Sequence, residues 1–277
     1  MKIDAHQHFW TLANPFTDWP GPDLAAIHRD FGPADLAPHL ARSGVDGTVL
    51  VQAAPALAET HHMLELAART PFVKAVVGWI DFDAADAIAQ LHTLADHPQL
   101  KGLRPMLQSL REPGWILHDA RRPVLRAMVA RGLRFDALVR ADQIGDMVDL
   151  AARHPDLPVV LDHGGKPEIA AGAFAKWARD IERLAAHPQV WCKLSGLWTQ
   201  AGADHGIATI APYARHLLAC FGTGRVMWGS DWPVLELAGD YHQWFDQALA
   251  LAGEFDASQI DAVMGGNAAR FYGLDDD

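Results

Sequence analysis

His6 and His8 stand two residues apart, so an extended chain turns both imidazoles to one side, the spacing that chelation or a paired polar grip requires. Two further polar clusters follow short apolar runs. Asp162-His163-Gly164-Gly165-Lys166 succeeds Val159-Val160-Leu161, and Gly229-Ser230-Asp231-Trp232-Pro233 succeeds Val226-Met227-Trp228. Two histidines, a third histidine and an aspartate from three separate strand ends form either a metal site with nitrogen and oxygen ligands or a metal-free hydrolytic pocket. In either, a carboxylate can take a proton from water, and imidazoles, a cation or both can stabilise an oxyanion that forms at a carbonyl.

The elements that must position these residues are legible as short β-branched or aromatic runs: Ile3 to Trp10, Gly47 to Gln52, Ala75 to Phe82, Gly102 to Leu107, Leu133 to Val139, Pro158 to His163, Val190 to Ser195 and Val226 to Asp231. Runs such as Val49-Leu50-Val51 show no apolar/polar alternation, as expected of parallel strands covered on both faces. Segments of helical period lie between them: Asp35 to Gly44, Thr60 to Thr70, Asp83 to His97, Asp119 to Arg131, Ala141 to His154, Ala173 to His187, Gly206 to Phe221 and Asp240 to Gly253. Strict alternation of strand and helix predicts a (β/α)8 barrel in a single domain over residues 1–277, with a doubly wound sheet as the other architecture. Ala5-His6-Gln7-His8 occupies the place where a dinucleotide-binding glycine turn would follow the first strand. The long irregular stretch from Thr11 to Pro33 predicts a folded loop over the barrel mouth, and Asp275-Asp276-Asp277 a solvated tail.

Barrel enzymes carry their chemistry at the C-terminal ends of the strands. There the sequence offers His6 and His8, Gln52, Trp79 and Asp81, Arg104, Asp136, His163, Ser195 and Asp231. His97, His154 and His187 each precede a proline at a helix end on the opposite face, and the other histidines have no second ligand at a strand end. The Arg104 guanidinium is a fork suited to oxygen acceptors, a buried ion pair to Asp136 or Asp81 being one such role. Lys166 is a candidate pocket contact or a solvated loop lysine, and Trp10, Trp79, Trp198 and Trp232 near strand ends are candidate flat walls of a pocket.

The composition excludes several classes of function. Acidic residues outnumber basic ones by 34 to 23, a net charge of −11 that repels nucleic acid and anionic lipid. No apolar stretch is long enough to span a bilayer, and no export or transit signal is read at Met1-Lys2-Ile3-Asp4, so a cytoplasmic monomer or small homo-oligomer is expected. Cys192 and Cys220 are too few and too far apart for a disulfide framework or a CxxC motif.

The chain resembles the amidohydrolase superfamily, and within it the branch of lactonases and related proteins called amidohydrolase 2. The resemblance is carried by Met1 to Trp10, Val51 to Ala54, Lys101 to Pro105, Leu161 to His163, Cys192 to Gly196, Gly229 to Pro233 and Gly266 to Gly273. It implies a barrel hydrolase in which His6, His8 and His163 surround the scissile carbonyl and Asp231 activates water. The nearest resemblance is to sugar lactonases of the L-fucono, L-rhamnono or L-galactono type, which implies a small-molecule aldonolactone as substrate. Substrate contacts are expected from Arg104, Gln52, Trp79, Asp136, Lys166 and Trp232. Strand four ends in Leu103-Arg104 where binuclear relatives offer a bridging Lys or Glu, and strand five offers Asp136 where many have His. One divalent ion, Zn2+, held by His6, His8, His163 and Asp231, and no ion at all are therefore both open. A metal-dependent nonoxidative decarboxylase of the same superfamily is the alternative activity.

Overall fold

The computed structural model describes residues 1–274; the Asp275-Asp276-Asp277 tail lies outside the described residues. Eight strands form one parallel sheet in chain order: β1 (Ile3–Gln7), β2 (Gly47–Val51), β3 (Val73–Gly78), β4 (Leu100–Leu103), β5 (Arg134–Ala137), β6 (Val159–Leu161), β7 (Val190–Leu194) and β8 (Val226–Trp228). A bridge between Gln7 and Trp232 brings the last strand back to the first, with Asp231 N–H donating to the His6 carbonyl at 2.8 Å and His8 N–H to the Trp232 carbonyl at 2.8 Å. The barrel fold expected from the alternation of elements is the one observed.

Helices cover the outside: α1 (Pro33–Ser43), α2 (Leu57–Ala68), α3 (Ala87–Leu94), α4 (Arg122–Ala130), α5 (Ile144–Arg153), α6 (Phe174–Ala185), α7 (Leu197–Ala201), α8 (Ile207–Phe221), α9 (Tyr241–Ala252), α10 (Ala257–Asp261) and α11 (Asn267–Tyr272). Helix α6 shows why they dock: Trp177, Ile181, Leu184 and Ala185 fall on one stripe and are buried, while the opposite face is charged. Helix α9 starts where the Asp240 carboxylate accepts the backbone N–H groups of His242 and Gln243 at 3.0 Å each.

The strands are shorter than their apolar runs suggest. Strand β4 ends at Leu103, since Pro105 has no N–H to continue a ladder, and β1 stops at Gln7 where the chain turns into the loop. Most of the polar residues expected at strand ends sit one to three positions beyond the last paired residue, as with Asp231 after Trp228, whereas His6 and Asp136 lie within β1 and β5. Three elements were not anticipated: the short α7, and α10 and α11 at the C-terminal end. Phe271 and Tyr272 of α11 pack with Ile3, Val49, Val77, Val160 and Met227 and so close the barrel floor. Gly265 lets this segment approach the first residues, because a Cβ there would lie 2.3 Å from the Met1 carbonyl oxygen.

Candidate active site

The C-terminal ends of the strands open into a cavity of about 500 Å³ lined by His8, Arg104, Lys166, His163 and Asp231 among others. The loop between β1 and α1 contributes Thr17, Trp19 and Leu24 to its wall, so this stretch does cover the mouth. No helix of the described residues is long and apolar enough to cross a membrane.

Asp231, His163 and Lys166 all have positive φ, at 60°, 54° and 48°. Non-glycine residues seldom adopt that region, and the surrounding hydrogen bonds hold them there. Asp231 Oδ1 lies 3.4 Å from His8 Nε2 and 3.8 Å from both His6 Nε2 and His163 Nε2. The two β1 imidazoles meet at 3.2 Å, Nε2 to Nε2. His163 Nδ1 lies 2.9 Å from Ser195 Oγ, just past the end of β7.

Burial decides the charge states. It lowers the imidazoles of His6 and His8 below their ordinary value and brings His163 down to about 4 against the pull of Asp231 and Asp162, so all three are neutral at pH 7. Burial pushes the Asp231 carboxyl up, but His163, His8 and His6 outweigh it and hold the group well below the usual carboxylate range. An ionised carboxylate facing neutral imidazoles can accept a proton from a bound water.

Arg104 follows β4 and is clasped by Gln52: the Gln52 side-chain amide donates to the Arg104 carbonyl at 2.9 Å, and the guanidinium Nη2 donates to the Gln52 carbonyl. Its ion-pair partner is Asp162 at 3.3 Å, in place of the Asp136 or Asp81 expected from sequence. Lys166 Nζ donates to Gln108 Oε1 at 2.6 Å inside the cavity wall, and burial lowers its ammonium below the ordinary value.

Four residues expected at the substrate lie elsewhere. Asp136 faces the barrel interior within β5, fully buried, where it accepts from Lys193 Nζ at 2.6 Å and Tyr272 Oη at 2.7 Å. Trp232 is buried and packs edge-on against Phe9 and Phe31, its indole N–H donating to Glu236 at 2.9 Å. Trp79 is absent from the cavity lining, and Gln52 is fully buried behind Arg104. The parity of a strand and the volume of an indole place such side chains in packing layers, which the strand-end rule alone does not resolve. Asp81 is exposed, and Cys192 is buried with its thiol pushed up by burial.

Sequence reasoning passed over the layer beneath the mouth. Lys193 and Asp162 form an ion pair at 3.0 Å, and burial of Asp162 is outweighed by Lys193, His6 and Arg104, which hold its carboxyl well below the usual range. The available signal was a lysine in the middle of Val190–Leu194, a strand buried on both faces, since a charge is buried there only with a partner. Asp4 ties β1 to the β8 end by accepting from Ser230 N–H at 2.8 Å and Tyr241 Oη at 3.1 Å, and burial raises its carboxyl to about 6.

The same cluster has the donors for a divalent ion. His6, His163 and Asp231 each bring one ligand atom within 4.8 Å of the others, and His8 turns Nε2 inward because its Nδ1 is engaged with the Val51 carbonyl at 2.7 Å. Neutral imidazoles with a carboxylate suit a borderline cation such as zinc.

A protein named L-fucono-1,5-lactonase from Burkholderia ambifaria is 46% identical over 99% of this chain and 96% of its own length. Another of that name from Burkholderia multivorans is 35% identical over 99% of this chain and 96% of its own. A Burkholderia multivorans amidohydrolase crystallised with bound zinc superposes with a TM-score of 0.94 at 34% identity, covering 99% of both chains. The amidohydrolase family profile matches residues 3–274, and the chain belongs to that family.

Proposed function

We propose that the protein is a hydrolase that opens a sugar lactone, an aldonolactone of the L-fucono-1,5 or L-galactono kind, to the aldonic acid. The observation that carries this reading is the ionised Asp231 at the floor of a polar cavity, within 3.8 Å of three neutral imidazoles, in a chain 46% identical to a protein named L-fucono-1,5-lactonase.

Asp231 takes a proton from water as the oxygen attacks the lactone carbonyl. The oxyanion receives hydrogen bonds from Arg104 and from an imidazole N–H, donors already in place before the reaction. Collapse of the tetrahedral intermediate breaks the ring C–O bond, and the proton on Asp231 passes to the leaving alkoxide, so lactone and water become one hydroxy acid. Lys166 and Gln108, joined at 2.6 Å in the cavity wall, present an ammonium and an amide to the sugar hydroxyls. A divalent ion, where one binds, would be held by His8, His163 and Asp231 with His6, and would supply Lewis-acid polarisation of the carbonyl.

The test is enzyme-dependent proton release in weakly buffered solution from a panel of L- and D-sugar lactones, with and without prior chelation, and with Asp231→Asn beside it. Acidification with an L-lactone and its loss in the variant support the reading. A silent panel, with carbon dioxide released from an aromatic carboxylate, overturns it in favour of decarboxylation.

A further inference from the structure

The peptide that joins Gln52 to Ala53 is the first beyond the β2 ladder, and its two polar ends meet opposite charges. Gln52 N–H still donates to the Val77 carbonyl at 2.9 Å, so a continued parallel ladder would bring Trp79 N–H to the Gln52 carbonyl. Thr60 prevents this: its Oγ1 accepts Trp79 N–H at 2.8 Å and donates to the Trp79 carbonyl at 2.8 Å. The Gln52 carbonyl is thereby left to Arg104, whose Nη2 donates to it. At the other end of the same peptide, Ala53 N–H donates to the Glu59 carboxylate, 3.3 Å from Oε1 and 3.2 Å from Oε2. Ala54 N–H donates to the same Oε2 at 2.8 Å. The peptide is trans and planar, so its N–H and C=O point in opposite directions and cannot turn independently.

Helix capping does not account for this use of Glu59. A glutamate at the third position of a helix ordinarily reaches back to the N–H of the capping residue. In α2 that residue is Ala56, and its N–H donates to the Ala54 carbonyl at 2.9 Å instead. Glu59 is buried, where a charge is costly and a neutral acceptor would satisfy a backbone N–H. What the charge adds is direction. A carboxylate at the N–H end and a guanidinium at the C=O end favour the same orientation of the peptide dipole, and both hydrogen bonds are charge-assisted. We propose that Glu59 is a positioning residue for Arg104, acting through the Gln52–Ala53 peptide to aim the guanidinium into the cavity. Its neighbour Thr60 keeps the carbonyl open for that contact. Glu59 itself is absent from the lining of the active-site cavity. The effect on turnover rests on the proposed role of Arg104 as a donor to the lactone oxyanion, whereas the link from Glu59 to Arg104 does not.

Glu59→Gln keeps the size of the side chain and one acceptor but turns an NH2 toward a backbone N–H. Its first readout, without substrate, is the 15N spectrum of the Arg104 guanidinium, identified by its absence in Arg104→Lys. A held guanidinium gives separate Nη signals and a rotating one an averaged signal. Separate signals are expected in the wild type and an averaged signal in Glu59→Gln. The second readout is a double-mutant cycle in lactone turnover at pH 8, above the value of about 7 to which burial raises Glu59. In the wild-type background Glu59→Gln should lower kcat and kcat/KM together by about tenfold, because an oxyanion contact is made only in the transition state. In the Arg104→Lys background the further loss should be no more than about twofold, since the group that Glu59 positions is gone. Equal losses in the two backgrounds overturn the proposal, as does no loss in either. Unchanged Arg104 signals in Glu59→Gln also overturn it, and an averaged signal in the wild type does so without any variant. If the wild type opens no lactone, the proposed activity fails, and the spectra alone decide the link from Glu59 to Arg104.

Discussion

Gly196 lies against the ring of His163: a Cβ at that position would stand 2.7 Å from both Cγ and Nδ1 of the imidazole. Its φ of +65° adds a backbone reason for glycine. Gly196→Ala should therefore push the ring away from Asp231 and cost about 1–2 kcal/mol of stability for the left-handed backbone. A fall of roughly tenfold or more in kcat, with the protein still folded at 25 °C, is the expected outcome in lactone turnover and thermal unfolding. A wild-type rate would show that the glycine does not set the ring.

Asp231→Asn should cost at least about 3 kcal/mol of transition-state stabilisation, a loss of roughly a hundredfold or more in kcat, because an amide cannot take the proton of water. His97 is exposed at the end of the segment after α3, far from the cavity lining, and His97→Gln should leave the rate unchanged. Steady-state kinetics on the two variants separates a chemical role from a general effect of losing a polar side chain.

Arg104→Lys is expected to behave as a damaging change despite keeping the charge. The guanidinium reaches the Gln52 carbonyl with Nη2 and Asp162 with Nη1, and an ammonium cannot span both while also facing the cavity. A loss in kcat/KM on the order of tenfold to a hundredfold is expected. Rates within twofold of wild type would remove Arg104 from the oxyanion site.

Glu59 carries a pH-dependent cost. Its carboxylate accepts Ala54 N–H at 2.8 Å and Ala53 N–H at 3.2 Å, and burial raises the group from 4.5 to about 7. The folded state thus holds the proton more tightly than the unfolded chain. The stability this contributes is full below about pH 4.5 and is lost as pH rises through about 7. Ionisation at pH 8 therefore costs about 3 kcal/mol relative to acid conditions. Glu59→Gln should gain stability over wild type at pH 8 and much less at pH 5, measured by urea unfolding at both. An equal difference at the two pH values would place the carboxylate in a solvated setting.

The order of elements and the identity of the polar groups that cluster at the mouth are properties of the sequence. Continuous β-branched runs such as Val49-Leu50-Val51 specify strands buried on both faces, and the helical segments between them leave few topologies other than a barrel. The pair His6 and His8, with His163 and Asp231 after their own apolar runs, marks one mouth because all strands of such a barrel end on the same side. The layer behind that mouth is decided by the tertiary structure. Asp136 and Lys193 are 57 residues apart in sequence and 2.6 Å apart in the barrel interior. Nothing local in the chain records which carboxylate will face which cation, because such pairs arise from side chains of non-adjacent strands, β5 and β7 here, meeting in the barrel interior. The same holds for Trp232, which local position assigns to the cavity but packing sends against Phe31. It holds for α11, whose Phe271 and Tyr272 become the floor of the barrel only once the eight strands have closed around them.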